Sequence, residues 1–173
     1  MYMYEPMVLF YVGVVLILNG LWMLEHIADR EILVINALVG GLFLRIAYEH
    51  AFGVEANPQS VRAATLCLLF AFTYLWVAYN RLTHSDGRGQ GWFSLIVAIT
   101  ALLFSIQLLL FASGNSWALW TAVSWMAWAI LWGMFFLLQA LRWRLMRPTA
   151  WMAIAQGVVT GLLPGLLLVL QQS

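Results

Sequence analysis

Six long apolar runs, joined by connections too short to fold alone, leave this chain few possible architectures. They cover residues 7–24, 32–48, 63–82, 92–112, 117–141 and 149–170. A helix needs about 20 residues, and no fewer than ~17, to cross a hydrocarbon core. The second run barely meets that length, and the fifth is long enough to tilt. The expected fold is an all-α integral membrane protein, a six-transmembrane-helix bundle, with residues 1–173 as a single domain. The stretch Ser85 to Gly91 (SDGRGQG) and the shorter one from Ser113 to Ser116 are expected turns between helices.

Composition settles the solvent. The chain is 64% hydrophobic and 9% charged, which does not fit a soluble globular domain. Its net charge is +1, so there is no electrostatic case for binding nucleic acid. Cys67 is the single cysteine, and no zinc-ligand spacing accompanies it. No metal, cofactor or catalytic cluster is expected, and an integral enzyme would need one. No basic region precedes the first run, which therefore reads as a retained helix rather than a cleaved signal.

All basic residues are arginines, and their placement gives the orientation. Arg30, Arg81, Arg88, Arg142, Arg144 and Arg147 follow the first, third and fifth runs, whereas Arg45 and Arg62 lie towards the other side. Basic residues favour the cytoplasm. Both termini are therefore expected on the periplasmic or extracellular face. The Arg142–Arg147 cluster serves as a topology anchor, with a lipid-headgroup site as the competing reading.

No acid or base sits securely at mid-membrane, which removes the ionisable relay that a proton or cation pump requires. Arg45 can snorkel outward, or pair with Glu49 four residues on. His26, His50 and His84 fall near helix ends, too far from mid-span for haem ligation within a bundle. His50, beside Glu49 and Glu55, could sense acid.

Tryptophan placement is unusual. In WMAWAILW, Trp125, Trp128 and Trp132 share one helical face, and the last two lie near the middle of the fifth run. Membrane tryptophans ordinarily collect at the interfaces. Phe70 and Tyr74, four apart, make a second aromatic face. Asn19, Thr73, Gln107, Ser124 and Gln156 add neutral polar groups at depth. These residues support two readings: a packed bundle glued by hydrogen bonds, or aromatic walls of a path for a small uncharged solute that gives ions no substitute for their hydration. Gly157, Gly161 and Gly165 form a small-residue ridge for close helix approach, with Pro164 inside it.

The order of several pieces resembles the AmiS/UreI family of bacterial inner-membrane urea and amide channels. They are VLFYVGVVLILNGL from Val8, LFAFTYLWVAYN from Leu69, GWFSLIVAIT from Gly91, WMAWAILW from Trp125, PTAWMAIAQG from Pro148 and LLPGLLL from Leu162. The resemblance implies three helical hairpins around a pore in each protomer and a homohexameric ring. It implies a passive path for urea, acetamide or formamide, and a functional link to a cytoplasmic urease or amidase. It carries Phe70, Tyr74, Trp128, Leu131 and Trp132 over as lining positions, with Trp125, Asn19 and Leu9 as further candidates. The amides of Asn19 and Gln156, the Tyr74 hydroxyl and the indole N–H groups would replace part of the solute's hydration.

Two departures bear on gating. Acid-gated members resemble one another in a carboxylate where this chain has Gln156, and in a long histidine-bearing outer segment where this chain has short connections. The expectation is therefore a channel with weak or no acid activation. A secondary transporter of small amides and an acid-gated urea channel are the alternatives. The transporter would normally show repeats, broken helices and a charged coupling-ion site.

Overall fold

The computed structural model describes residues 5–111 and 115–171. Half of the expected turn from Ser113 to Ser116, and the end of the fourth run at Ala112, lie outside the described residues. The helices are α1 (Glu5–Met23), α2 (Asp29–Phe52), α3 (Pro58–Thr83), α4 (Arg88–Phe111), α5 (Ser116–Gln139), α6 (Met146–Gln156) and α7 (Leu163–Leu170). The π-helical segment Gly157–Leu162 joins the last two into one span, Met146–Leu170. Among the described residues, six helical spans are long and apolar enough to cross a membrane.

The second span is longer than its apolar run. That run suggested a near-minimal helix, but α2 has 24 residues. Its ends are polar turns, with Asp29 and Glu31 in the first and His50 in the last. Acidic groups at the N-terminus and basic groups at the C-terminus favour the helix dipole, so the helix continues into the interface where hydropathy has already fallen. The outer faces are apolar, as lipid requires. Ile96, Leu103, Leu110 and Phe111 on α4 are all exposed, as are Val34 and Leu38 on α2. A water-soluble monomer would not present so continuous an apolar surface.

The helices pack as three antiparallel pairs. α2 lies along α3 and α4 along α5, whereas α1 packs along the sixth span and thereby joins first helix to last. Packing between the pairs is much slighter. The third pairing follows from the glycine ridge. A Cβ added to Gly161 would stand 2.5 Å from the Cα of Gly13, and one added to Gly13 would stand 2.1 Å from the Leu162 nitrogen. The two backbones touch where only glycine leaves room.

A three-fold pattern also marks the arginine-rich end. After α1, α3 and α5 the chain turns through Glu25, His84 and Arg142, each in the left-handed region at φ 67°, 54° and 60°. Left-handed residues end helices by letting following N–H groups cap the last carbonyls. Here His26 N–H donates to Leu21 O at 3.0 Å, Ser85 N–H to Asn80 O at 3.2 Å and Trp143 N–H to Leu137 O at 3.0 Å. At the other end, Asn57 caps α3 by accepting from Gln59 and Ser60, and Asn115 caps α5 by accepting from Trp117 and Ala118.

Candidate functional site

Helices α1, α3 and α5 turn their most distinctive faces to a common axis. α1 contributes Leu9, Val12, Leu16 and Asn19; α3 contributes Phe70 and Tyr74; α5 contributes Trp125, Trp128, Leu131 and Trp132. These residues are all buried. Three spaces follow one another along this axis. The first, about 160 Å³, lies towards the end with the 53–57 connection and is lined by Leu9, Val12, Phe70, Ser124, Trp125 and Trp128. The second is a void of about 20 Å³ between Leu16, Asn19, Tyr74, Trp128, Leu131 and Trp132. The third, about 310 Å³, opens at the arginine-rich end among Asn19, Trp22, Asn80, Gln90, Gln139 and Arg142.

An aromatic neck separates the first space from the second. The Phe70 ring meets Trp125, Trp128 and Trp132 edge-on, at centroid distances of 5.7, 5.3 and 5.0 Å. On its other side it stacks on Phe43 of α2 at 5.3 Å. Edge-to-face pairs of this kind contribute roughly 0.5–1.5 kcal/mol each beyond burial. The rings therefore interlock across the axis at this level, with space above and below them. The axis is neither an open tube nor solid packing.

Polar atoms around the void are incompletely satisfied. The Tyr74 hydroxyl and Trp132 Nε1 are buried without a hydrogen-bond partner. Leaving such a group unpaired costs roughly 1–3 kcal/mol. Trp128 differs, because its Nε1–H donates to Thr160 Oγ1 at 2.8 Å. Asn19 pairs reciprocally with Asn36 of α2, at 2.7 and 3.2 Å. Lower down, Asn80 Nδ2 donates to Gln90 Oε1 at 2.7 Å, tying α3 to α4 beside the wide space.

Charge stays at the two ends. At the arginine-rich end, Asp29 accepts from Trp22 Nε1 at 2.6 Å and faces Arg81 at 3.6 Å, while the Arg81 guanidinium lies 4.9 Å over the Trp22 ring. Asp86 there pairs with Arg88 and Arg142, at 3.4 and 3.3 Å. At the opposite end Arg45 pairs with Glu49, and Arg62 donates to Gln107 Oε1 at 2.5 Å. Gln107 thus answers an arginine near the surface rather than gluing mid-membrane helices.

The structure gathers eight of the nine residues singled out from the sequence around this axis: Leu9, Asn19, Phe70, Tyr74, Trp125, Trp128, Leu131 and Trp132. Gln156 borders none of these three spaces. Its Nε2 donates to Ala127 O at 2.8 Å, which fastens the sixth span to α5. Sequence reasoning missed Phe43, Asn36 and Thr160. Each acts through a partner on another helix, and no local pattern in the chain announces it.

Comparison with known proteins places this architecture. The AmiS/UreI family transporter profile matches residues 5–172. A candidate amidate-substrate transporter of Mycolicibacterium smegmatis is 41% identical over 93% of this chain and 74% of its own length. The acid-activated urea channel of Helicobacter pylori is 32% identical over 95% of this chain and 97% of its own. The crystal structure of the urea channel from Helicobacter pylori superimposes with a TM-score of 0.82, covering 97% of this chain and 98% of that one. A cryoEM structure of that channel in a closed state gives 0.80.

These likenesses correct one expectation. Weak or absent acid activation was inferred from Gln156 and the short outer connections, yet a relative aligned nearly end to end is acid-activated. The inference failed because it tied gating to one side chain and to loop length. Glu49, His50 and Glu55 lie at the end opposite the arginine cluster. The fold, the aromatic axis and the match over nearly the whole length agree: this chain is a multi-pass membrane protein and belongs to the AmiS/UreI family of amide and urea channels.

Proposed function

We propose that this protein is a passive, acid-activated channel for urea and short neutral amides in the bacterial inner membrane. The observation that carries the reading is the pair of unpartnered polar atoms beside the void, Tyr74 Oη and Trp132 Nε1, set between two wider spaces on one axis. Buried polar groups are ordinarily paired, and these two border the void on the axis. A planar amide has a carbonyl to accept from an indole or phenol donor and N–H groups to offer an oxygen. Its passage would satisfy those atoms, and the ring faces would hold its plane. The outer space and the void beneath the neck are lined without charge, so an ion there would lose its hydration with nothing in return.

In this reading Phe70, Tyr74, Trp125, Trp128, Leu131, Trp132, Asn19 and Leu9 contact the solute, and the interlocked rings are the closed neck. Opening parts the Phe70 edge from the indoles and gives the orphaned donors a partner, so polar satisfaction offsets the cost of separating the rings. Acid activation is taken from the acid-activated relative that aligns nearly end to end. The arginines clustered at one end support a cytoplasmic placement for it and an outward placement for both termini. A homohexameric ring in the bilayer, each protomer with its own path, and a functional link to a urease or amidase are extensions from the family.

Stopped-flow light scattering of proteoliposomes, with urea, acetamide, formamide and glycerol in parallel, tests the proposal. Flux should be linear in solute concentration, indifferent to ion gradients and faster at about pH 5 than at about pH 7.5, across the range in which histidine titrates. Saturable, ion-coupled uptake would instead indicate a transporter.

A further inference from the structure

Trp128 borders both the outer space and the void beneath it, so the angle of its indole sets the width of the neck. Trp132, one turn on, leaves its N–H without a partner, whereas Trp128 is held. The holding group is Thr160, which lies in the π-helical segment Gly157–Leu162.

Two demands meet in that segment. Gly157 and Gly161 must keep facing α1, where an added Cβ would come within 2.9 Å of Gly13 O and 2.5 Å of Gly13 Cα respectively. Pro164 follows, and without an N–H it cannot donate to the carbonyl four residues earlier, that of Thr160. A π-turn, with its i→i+5 bonds, is one way to accommodate a proline that an α-helix would not. It keeps the glycines on α1 while presenting the Thr160 side chain to α5.

The result is a short relay. Trp128 Nε1–H donates to Thr160 Oγ1 at 2.8 Å, and the Thr160 hydroxyl donates to Gln156 O at 2.7 Å. One turn earlier, Gln156 Nε2 donates to Ala127 O at 2.8 Å. The sixth span therefore grips α5 at consecutive residues, once by backbone and once by the neck tryptophan. Thr160 is 6% exposed, and burial of this kind strengthens a hydrogen bond relative to one in water.

We propose that Thr160 is a positioning residue for selectivity: presented by the π-turn, its hydroxyl fixes the Trp128 indole and so sets the largest neutral amide that passes. This rests on the channel reading above. It assigns the two tryptophans different tasks, with Trp128 the anchored wall and Trp132 the ring that offers its N–H to solute.

The test measures permeability to urea and to the bulkier propionamide in proteoliposomes of wild type, Thr160→Val, Thr160→Ala and Thr160→Ser. Valine keeps the shape and removes the acceptor, alanine also removes bulk, and serine keeps the hydroxyl. The propionamide-to-urea ratio should rise about fivefold in Thr160→Val, the population change that one lost hydrogen bond gives, and at least as much in Thr160→Ala. Thr160→Ser should restore the wild-type ratio to within about twofold. Adding Thr160→Val to Trp128→Phe, which has already lost the donor, should change the ratio no further. An unchanged ratio in both hydroxyl-free variants would overturn the proposal. So would a serine variant as altered as valine, or a full additional effect on top of Trp128→Phe. If valine yields no folded protein, the alanine and serine pair decides on the same ratio. Wild-type urea flux no faster than that of empty liposomes would sink the channel reading instead, which is a separate result.

Discussion

The Phe70 ring stands nearly perpendicular to the Trp132 indole, at 80°, with 5.0 Å between centroids. The same ring also meets Trp125 and Trp128 by its edge and stacks on Phe43, so a single side chain of α3 closes the axis against two other helices. Phe70→Ala removes that closure. Relative to wild type, proteoliposomes of the variant should pass urea at neutral pH several-fold faster and discriminate less between urea and propionamide. The variant should also lose about 3–5 kcal/mol of stability, the usual cost of deleting a core phenylalanine. Flux at or below wild type from well-folded protein would mean that the ring is packing and not a gate.

Position in the bundle separates wall from bystander among the tryptophans. Trp132 is 4% exposed on the axis, whereas Trp151 is 62% exposed on the outer face. Trp132→Ala should change urea flux or its ratio to acetamide at least several-fold, and Trp151→Ala should leave both within about twofold. Those thresholds are set by roughly 1 kcal/mol of interaction removed at the wall and little at the lipid face. Equal effects at both positions, measured by the same stopped-flow assay, would contradict the assignment.

The reciprocal amide pair makes a thermodynamic prediction. Asn19 and Asn36 exchange two hydrogen bonds between α1 and α2, and Asn36 also donates to Ile32 O at 2.9 Å. Asn19→Leu leaves a buried amide short of a partner, so it should destabilise by about 1–3 kcal/mol. Asn19→Leu with Asn36→Leu should recover part of that loss. Thermal unfolding in detergent, read as Tm for the two single variants and the double, measures the coupling; strict additivity would show that the pair is not a unit.

Two glycines give opposite outcomes. Gly161→Ala forces a methyl against Gly13 and should destabilise by about 1–3 kcal/mol through overpacking. Gly41→Ala on α2 meets nothing within 4 Å, so helix propensity alone applies and the change should be neutral or stabilising by up to ~1 kcal/mol. Detergent Tm compares them directly. A Tm for Gly161→Ala equal to that of Gly41→Ala would show that α1 and the sixth span tolerate greater separation.

Membrane class, the six spans and the faces that turn inward were all legible in the order of residues. Those are properties of one helix at a time: run length, the periodicity that places Trp125, Trp128 and Trp132 together, the four-residue step from Phe70 to Tyr74, and the glycine ridge. The family's motifs joined these faces to one path. Other features emerged from packing alone: α1 pairs with the last span, Phe43 backs Phe70, Gln156 grips the backbone of α5 and Thr160 holds Trp128. Each of these joins residues distant in the chain and is fixed by side-chain direction and by where two backbones can approach. Short-range order records which face a residue occupies. The partner across the gap is chosen by three-dimensional packing, where the difference between a filled and an empty hydrogen bond is settled.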